Sequence, residues 1–580
     1  MHTKLALTAA VSAALLAAAP GAGAAPTTLD NTITGDAAAA YSDLSSGPGQ
    51  ARVLREDITT AQTGRDTRRT SLAYFGQLTD FQLSDEESPA RVEFLDITGS
   101  PTSAAQRPQE SLLAFMVDQG IRALNQFTTS PVSSASMDFD LVTGDQADSM
   151  QRNEVKWVVK LLQGGRIDPN SGVESRCSGR PGEAAKYTGV QDYRDYYESG
   201  DHYDPNQPLG RYSAWPSYPG LMDRAQLPFR AAGTAVPSYV TFGNHDGLVQ
   251  GNAWANAGYE AIATGCAKVF APVPLNQQAN LLNGTTSSPQ NVFRVPPDPD
   301  RQYVDRAQYK ALHADAASNA HGFGYVDPAE NAASNGSASY YTFEPKPGLQ
   351  LVALDTVSNG GTIGDSAEGN IDDPQYRWLQ SVLDANEAEP PSTRDLVVVY
   401  SHHPVRSLVS RTPDEMAPPC GFIQNQYGHD PNPGCDKDPR ISMPVHQGAD
   451  LVSALLGHPQ VVAYVAGHTH DNKLTPFSRT TGPAGGFWEI TTSALADWPI
   501  QTRLIELMDN HDGTLSIFGT LVDHLGPVTA PAPGPAAAFD KTQLASLGRT
   551  FAFNDEQAGG GTGEGTALDR NAELVLPDPR

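Results

Sequence analysis

The feature that most constrains this chain is a design that recurs at five places, a short apolar run followed at once by polar residues. Each run is rich in β-branched or aromatic residues, which is typical of a buried strand. In α/β proteins, sites are built in the loops that follow the carboxyl ends of such strands. The polar segments therefore predict a shared site, and they are residues 79–82, 144–148, 243–246, 401–404 and 467–470.

The side chains in these segments are carboxylates, amide oxygens and imidazoles, with no thiolate among them. That set suits Zn, Mn or Fe. A single metal needs only three or four protein ligands. The surplus predicts two divalent metal ions, about 3.5–4 Å apart, that share a bridging carboxylate. The candidate residues are Asp80, Gln82, Asp145, Asp148, Asn244, His245, His402, His403, His468 and His470.

Each of these pairs has an ordinary structural explanation when it is taken alone. Gly144-Asp145 is compatible with a turn, and His402-His403 with an exposed strand end. Five such pairs at five strand ends favour a metal site over coincidence. Segment 243–246 also offers an acid, because the imidazole of His245 titrates near neutrality.

In this order the five segments resemble the signature of the calcineurin-like metallophosphoesterase superfamily. That signature consists of Asp-x-His, Gly-Asp-x-x-Asp, Gly-Asn-His-Asp, His-x-Pro and Gly-His-x-His. The match covers roughly residues 70–525, with long insertions, and the motifs stand at 80–82, 144–148, 243–246, 402–404 and 467–470.

The resemblance implies an α/β fold, a four-layer α/β/β/α metallophosphoesterase sandwich with long loop-rich insertions and a dinuclear site at its strand ends. It implies that one residue bridges two metals, which are held by Asp80 and His470 on one side and by Asn244, His402 and His468 on the other. The implied bridge is Asp145. His402 is preferred to His403 because the ligand in this family stands two positions before the proline.

The resemblance also assigns the proton chemistry. His245 is the implied proton donor to the leaving group, and Asp246 is the residue implied to orient it.

Two residues bear on how closely the chain follows the family and on which subfamily it resembles. Gln82 stands where histidine is usual, and an amide oxygen is a weaker donor for Zn-like ions. Either Gln82 is a poorer ligand, or water holds the first metal, or one of Asp85, Glu86 and Glu87 compensates. Asp148 stands where purple acid phosphatases carry the tyrosine that colours them, so a purple enzyme is not expected.

These residues predict a metal-dependent phosphoesterase that hydrolyses phosphate mono- or diesters of small molecules. Two cations offset the phosphate charge and lower the pKa of a bridging water towards about 7, as for zinc-bound water. The metal-bridging hydroxide attacks phosphorus in line, and His245 protonates the departing alkoxide. Two alternatives stay open: a dinuclear hydrolase of a non-phosphate ester, and a secreted binding protein on a degenerate phosphoesterase scaffold.

The motifs and the composition together divide the chain. An apolar run that ends in small residues predicts a signal peptide, and Pro, Ala and Gly at the other end predict a linker or tail. The predicted parts are a signal peptide (1–24), an N-terminal extension (25–70), the phosphoesterase domain (71–525, with insertions at about 164–235 and 247–339) and a C-terminal tail (526–580).

Charge excludes some partners. Lys and Arg total 39 against 66 Asp and Glu, which gives a formal net charge of −27. An acidic surface repels phosphate backbones and anionic membranes, so we expect no non-specific nucleic-acid binding and no membrane docking. No other apolar run is long enough to span a bilayer. We therefore expect a secreted or extracytoplasmic protein.

Four cysteines fit that compartment, and three pairings of them are possible. Cys420 and Cys435 flank a Pro/Gly/Asn-rich loop, which favours a disulfide between them and leaves Cys177 to pair with Cys266.

The insertion at 164–235 is rich in tyrosine, which argues against disorder. Both its ends are anchored next to candidate metal ligands, so we expect it to form a wall or lid over the metals. The alternative, that its tyrosines only pack the insertion onto the sandwich, stays open.

Overall fold

The computed structural model describes residues 27–98, 105–172, 187–192, 202–252, 255, 257–269, 292–358, 367–390, 393–411, 444–482, 484–555 and 562–580. The predicted signal peptide lies outside these residues, as do Cys177, Cys420 and Cys435. Cys266 is disulfide-bonded, while the predicted pairing stays a prediction. No helix within the described ranges is long and apolar enough to cross a membrane.

The strands follow the apolar runs of the sequence. In chain order they are β1 (Asn31–Thr34), β2 (Ser45–Pro48), β3 (Val53–Arg55), β4 (Thr70–Leu78), β5 (Phe139–Thr143), β6 (Gly165–Ile167), β7 (Phe229–Ala231), β8 (Ser238–Thr241), β9 (Ala267–Val269), β10 (Val292–Arg294), β11 (Tyr341–Lys346), β12 (Leu349–Ala353), β13 (Leu396–Tyr400), β14 (Val461–Ala466), β15 (Lys473–Ser478), β16 (Gly486–Thr491), β17 (Gln501–Asp509), β18 (Thr514–Asp523) and β19 (Ala572–Pro577).

The α-helices are mostly short. In chain order they are α1 (Leu113–Leu124), α2 (Arg152–Gln163), α3 (Leu221–Ala225), α4 (Asn244–Gly247), α5 (Ala257–Ala263), α6 (Arg306–Leu312), α7 (Pro328–Ala333), α8 (Asp373–Ala388), α9 (Gly448–Gly457) and α10 (Lys541–Asn554).

The first large sheet has seven strands in the order β3-β19-β18-β17-β4-β5-β8. Its strands β4, β5 and β8 run parallel, so their carboxyl ends meet at one edge. Strand β5 is buried along its whole length, as its run of aromatic, aliphatic and β-branched residues predicts. The polar segments 79–82, 144–148 and 243–246 leave the sheet at this edge.

The second large sheet has six strands in the order β11-β12-β13-β14-β16-β15. Four neighbouring strands, β12, β13, β14 and β16, are parallel to one another. The polar segments 401–404 and 467–470 follow β13 and β14.

Side-chain alternation along β13 shows how the layers are built. Leu396, Val398 and Tyr400 belong to the apolar core that also contains the first sheet. Val397 and Val399 belong to a second core, formed with helices α8 and α9. Helix α1 covers the first sheet from the other side, against β17 and β18. The protein is therefore the predicted four-layer α/β/β/α sandwich.

Gln77 ties the two sheets together close to the edge that carries the polar segments. This side chain is fully buried. Its Nε2 donates to the carbonyl oxygen of Ala466 at 2.8 Å, and its Oε1 accepts from Thr492 Oγ1 at 2.6 Å. A buried and satisfied amide of this kind fixes the register of one sheet on the other.

The C-terminal part corrects the predicted tail over 526–580. Helix α10 packs on α1 with Leu544, Leu547 and Phe551 fully buried, and β19 pairs with both β18 and β3 inside the first sheet. The predicted N-terminal extension thus also contributes a strand, β3. Pairing between segments so far apart in sequence leaves no local signal, which is why composition pointed to a tail.

The aromatic insertion packs onto the sandwich wherever it is described. Tyr203, Tyr212 and Trp215 form one buried cluster, with ring centroids 4.9 and 5.0 Å from Trp215. That tryptophan lies 5.7 Å from the ring of Phe551 on α10. These rings support α10 rather than cover the polar segments, which favours the packing alternative. Three further tyrosines lie outside the described residues: Tyr193, Tyr196 and Tyr197.

Candidate metal centre

The polar segments of both sheets meet in one place. Asp80, Asp145 and Asn244 come from the first sheet, while His402 and His468 come from the second. Ligand atoms of Asp80, Asp145 and His402 all lie within 4.8 Å of one another. The site is therefore assembled across the interface between the two sheets.

Five residues of this site hold a left-handed backbone. The φ angle is 52° at Asp80, 42° at Gln82, 55° at Asp145, 70° at His468 and 54° at His470. Such angles are uncommon outside glycine, and each costs about 1–3 kcal/mol unless the surrounding structure imposes it. Strain of this kind clusters where the backbone must aim side chains at a ligand.

The motif glycines allow segments from the two sheets to touch. Gly144 has a φ of 89°, and a Cβ there would lie 2.4 Å from Nδ1 of His402. A Cβ at Gly467 would lie 2.0 Å from Oγ1 of Thr79. Any larger residue at either position would push a candidate ligand segment away from the site.

One half of the site is formed by Asn244, His402, His468 and Asp145. His402 Nε2 lies 2.9 Å from Asn244 Oδ1 and 3.2 Å from Asp145 Oδ2. His468 Nδ1 lies 3.1 Å from the same asparagine oxygen. In a tetrahedral site with bonds of about 2.0–2.1 Å, ligand atoms stand about 3.3 Å apart. The observed spacing is close to that of ligands around one ion.

The ring of His402 is held in a fixed orientation. Its Nδ1 lies 2.9 Å from the carbonyl oxygen of Thr143. A histidine that donates through one nitrogen presents the other to a metal in a defined direction. Here Nε2 is the nitrogen that faces Asn244 and Asp145.

The adjoining half is formed by Asp80 and His470. His470 Nε2 lies 3.3 Å from Asp80 Oδ1. The other nitrogen of this ring, Nδ1, lies 2.6 Å from Asp497 Oδ2. The second oxygen of Asp80 accepts from Thr79 Oγ1 at 2.5 Å and from the backbone N–H of His468 at 3.1 Å.

Incompletely satisfied acceptors show that these residues fit a bound metal. Gln82 Oε1 is buried without a hydrogen-bond partner within the described part of the chain, and the buried Asp80 Oδ1 has only the long contact with His470 Nε2 at 3.3 Å. Leaving such an acceptor unsatisfied costs about 1–3 kcal/mol. Both are oxygens of the kind that bind divalent cations, so a cation at this position would satisfy them.

Gln82 lies inside the site. Its Nε2 is 3.3 Å from Asp145 Oδ2 and 3.3 Å from His470 Nε2. Rotating the amide by half a turn brings Oε1 to the same groups, where it could bind a metal. The carboxylates considered as substitutes have other partners: Asp85 binds Arg301, Glu86 binds Tyr187, and Glu87 accepts from the N–H of Thr188.

The geometry favours His402 over His403 as a ligand. Both ring nitrogens of His403 are already engaged, Nδ1 with Thr356 Oγ1 and Nε2 with the carbonyl oxygen of Ala367, each at 2.8 Å. Burial lowers the pKa of His403 to about 3, helped by the neighbouring His402, so this ring is neutral. Although its ligand atoms lie near those of His402 and His468, its hydrogen bonds give it a structural role.

His245 stands beside the candidate ligands with one nitrogen fixed. Its Nδ1 lies 2.9 Å from the carbonyl oxygen of Asp148 and 3.2 Å from Oδ1 of the same residue. Its Nε2 lies 3.9 Å from Asp145 Oδ2. Burial lowers the pKa of His245, but Asp145 and Asp148 outweigh burial and raise it. Asp148 therefore orients the ring so that Nε2 faces Asp145.

Asp246 does not have the predicted role of orienting His245. Its carboxylate accepts from the backbone N–H groups of Gly243, Gln146 and Ala147, at 3.0, 3.1 and 2.9 Å. It closes the first turn of α4 and joins that turn to the segment after β5. The correction has a simple geometric cause, since a carboxylate at the third position of a helix turns back to the helix N-terminus.

Asp497 is a site residue that the motifs did not reveal. Its other carboxylate oxygen is 2.9 Å from Nε of Arg107, so a cation, a carboxylate and the imidazole of His470 form a chain. Carboxylates that orient a ligating histidine in this way are common in metal sites. Its place in the sequence could have indicated this role, because Asp497 follows β16, another parallel strand of the second sheet.

The carboxylates and imidazoles of this site shift one another's pKa values. Burial lowers the pKa of His402 and His470, but Asp145 and Asp497 respectively outweigh burial and raise these values to about 9 and about 10. Burial raises the pKa of Asp145, yet His402 and His245 outweigh it and hold that pKa below its usual range. A cation that binds here takes the place of these protons.

Comparison with known proteins adds little to this description. No family model and no curated protein matches the chain. The chain is similar to a dimetal phosphatase from Danio rerio, with 13% identity and a TM-score of 0.34, over 79% of this chain and 100% of that one. It is also similar to a purple acid phosphatase from yellow lupin (Lupinus luteus) seeds, with 11% identity and a TM-score of 0.26, over 82% of this chain and 54% of that one. At such low sequence identities and TM-scores, the chemistry of the site can be argued only from the side chains of this chain.

Proposed function

We propose that the protein is a metal-dependent phosphoesterase that hydrolyses phosphate mono- or diesters of small molecules. One observation carries the proposal: carboxylate, amide and imidazole groups from both sheets converge in two adjoining sets that meet at Asp145. The order of the motifs along the chain supports the same conclusion.

The residues that would hold two divalent ions, with Mn, Zn or Fe as candidates, are Asp80, Gln82, Asp145, Asn244, His402, His468 and His470. Ions bound there would offset the charge of a phosphate ester and lower the pKa of a coordinated water.

The side chains of the site also indicate a proton donor and the direction from which a substrate would approach. Nε2 of His245 faces the site, while Asp148 holds the ring from behind, so His245 in its protonated form can protonate a leaving alkoxide. The side chains of His245, His468 and His470 are 13%, 11% and 20% exposed, whereas that of His402 is fully buried. A substrate would therefore approach from the side of His245 and His470.

The test uses purified protein with added Mn²⁺ or Zn²⁺. We expect turnover of p-nitrophenyl phosphate or bis-p-nitrophenyl phosphate, and none of p-nitrophenyl acetate. Asp145→Asn should lower kcat/KM by about a hundredfold or more, the upper range for perturbing a metal site. The matched control is Asp140→Asn, the same change on β5 at a residue outside the site, which should keep activity.

The rival functions are outcomes of the same assay. Turnover of the acetate alone would identify a hydrolase of a non-phosphate ester. Tight metal binding without turnover of any ester would identify a binding protein on this scaffold. A third variant, His245→Ala, should retain metal yet lose more activity towards alkyl than nitrophenyl phosphates, because poor leaving groups need the proton.

We also propose that the chain is exported and that its cysteines pair as Cys420–Cys435 and Cys177–Cys266. The apolar N-terminal run and the disulfide-bonded state of Cys266 support this proposal. N-terminal sequencing of secreted protein should begin at Ala25. Thiol counting on unfolded, unreduced protein should find none, and four reactive thiols would refute the pairing.

A further inference from the structure

The acidic run at residues 85–87 belongs to a second buried polar cluster, apart from the metal centre. Asp85, Glu86 and Glu87 are 2%, 3% and 2% exposed. Together with Glu110, they line a cavity of about 20 Å³. A cavity needs roughly 10–15 Å³ to hold one water, so this cavity has room for a single occupant of that size.

Four oxygen atoms on residues that line this cavity have no hydrogen-bond partner within the described ranges. Two are carboxylate oxygens, Oε1 of Glu86 and Oε1 of Glu110, and two are neutral, Oε1 of Gln226 and Oγ of Ser84. Oε1 of Glu110 has a long ion-pair contact with NH1 of Arg107, at 3.6 Å. Three of these atoms can only accept, and the Ser84 hydroxyl can also donate, so acceptors outnumber donors among the four.

The cationic side chains of this region already form ion pairs. Arg91 binds Glu93, Glu110 and Asp148, and Lys268 binds Glu93. Arg301 binds Asp85 through Nε at 2.9 Å.

Glu86 therefore has only neutral donors. Its Oε2 accepts from Ser111 Oγ and Tyr187 OH, and no ion pair of this residue is found among the described side chains. Burial, followed by the nearby Glu93, raises the pKa of Glu86 to about 8. Arg91 and Lys268 offset only part of this effect, so the carboxylate has nearby cations but no direct ion pair among the described side chains.

We propose that this cavity is a binding site for one hard divalent cation, with Ca²⁺ as the expected ion. Ca²⁺ binds carboxylate, amide and hydroxyl oxygens at about 2.3–2.6 Å, which is the donor set of Glu86, Glu110, Gln226 and Ser84. A water molecule, with the Ser84 hydroxyl as a further donor, would satisfy hydrogen bonds but would leave Glu86 without a cationic partner. A divalent cation would bind the same oxygens and supply that positive charge.

The test uses Tb³⁺ as a luminescent probe on the full mature protein. Trp157 lines the cavity and Tyr187 touches Glu86, so excitation of these rings should sensitise an ion held there. We expect emission that saturates at one Tb³⁺ per chain and is displaced by Ca²⁺. Trp157→Phe should lower the emission while the competition by Ca²⁺ stays unchanged.

Two variants locate the site. Glu86→Gln and Gln226→Met should each weaken Tb³⁺ binding by at least about tenfold, since affinity follows the number and charge of the oxygen ligands. If Glu86→Gln does not fold, Gln226→Met decides alone. The matched control is Glu389→Gln, at an exposed residue, which should bind as the wild type does.

Asp145→Asn separates this site from the metal centre, because the proposed cation does not depend on Asp145. Loss of emission in Asp145→Asn with retention in Glu86→Gln would place the ion in the metal centre and overturn the proposal. Emission absent from the wild type, or equal in wild type, Glu86→Gln and Gln226→Met, would mean that the cavity holds only water or a proton.

Discussion

At the scale of single residues, Asp145 connects every part of the candidate metal centre. Its Oδ2 lies 3.2 Å from His402 Nε2 and 3.3 Å from Gln82 Nε2, and its Oδ1 accepts from the backbone N–H of His245 at 2.8 Å. The sequence motif predicted a bridging carboxylate at this position. The hydrogen bond to His245 could not be predicted, because it depends on how the segments after β5 and β8 approach each other.

Gln82→His tests whether residue 82 takes part in metal binding. Imidazole is a stronger ligand for Zn-class ions than an amide oxygen, and the side chain already faces Asp145 and His470. We expect metal binding to tighten by about tenfold, within the range for changes around a metal site. The measurement is a competitive titration against a chromophoric chelator. Gln163→His, on the exposed face of α2, is the control, and equal affinities in all three proteins would exclude residue 82 as a ligand.

Asp140→Asn should stabilise the protein above neutral pH. Burial raises the pKa of Asp140 to about 7, against about 3.9 in an unfolded chain. Below pH 4 both states are protonated. As the pH rises from 4 to 7 the unfolded state ionises first, so the folded state loses relative stability, by up to about 4 kcal/mol at pH 8. Asparagine removes that loss.

The measurement is urea unfolding of wild type and Asp140→Asn at pH 5 and pH 8. The difference in free energy of unfolding should be larger at pH 8. The exposed Asp168→Asn, at a residue that pairs with an arginine, serves as a control and should show no such change. A difference that is the same at both pH values would contradict the raised pKa.

At the scale of elements, the strands with local signals were predictable and the strands that depend on distant partners were not. Strands β5 and β13 end directly before the polar segments 144–148 and 401–404, where apolar runs predicted strands, because a fully buried parallel strand is a nearly continuous apolar run. Strand β15 escaped prediction since it contains Pro476 and lies at an edge of its sheet, where proline is tolerated. Asp497 was not predicted as a site residue, because its contact with His470 lies between two loops and Asp497 belongs to none of the motifs.

The C-terminal helix offers a direct test of the fold. Phe551 on α10 is fully buried and packs on Trp215 and Tyr203. Phe551→Ala should lower the free energy of unfolding by about 3–5 kcal/mol, the usual cost for a core phenylalanine. Leu568→Ala, at a half-exposed side chain in the same region, should change it little. Were residues 526–580 a tail, both variants would unfold as the wild type does.

At the scale of the whole molecule, the metal centre lies on the interface between the two sheets. Bound ions would therefore link the sheets, and their removal should destabilise the entire protein. A ligand at a concentration of 100 times its Kd adds about 2.7 kcal/mol to stability. We expect 1,10-phenanthroline, which prefers transition metals to Ca²⁺, to lower the Tm.

The control for metal removal is Asp145→Asn, which should already have the lower Tm and should not respond to the chelator. A wild-type Tm that is unchanged by the chelator would argue against ions that connect the two sheets.

The position of β19 has a consequence for the order in which the protein can be completed. Among the described strands, β3 pairs with β19, which lies between it and β18. A ribosome makes β3 (Val53–Arg55) long before it makes β19 (Ala572–Pro577). Until β19 has been made, β3 lacks the strand with which it pairs in the folded protein. The native sheet can therefore close only after β19 has been synthesised.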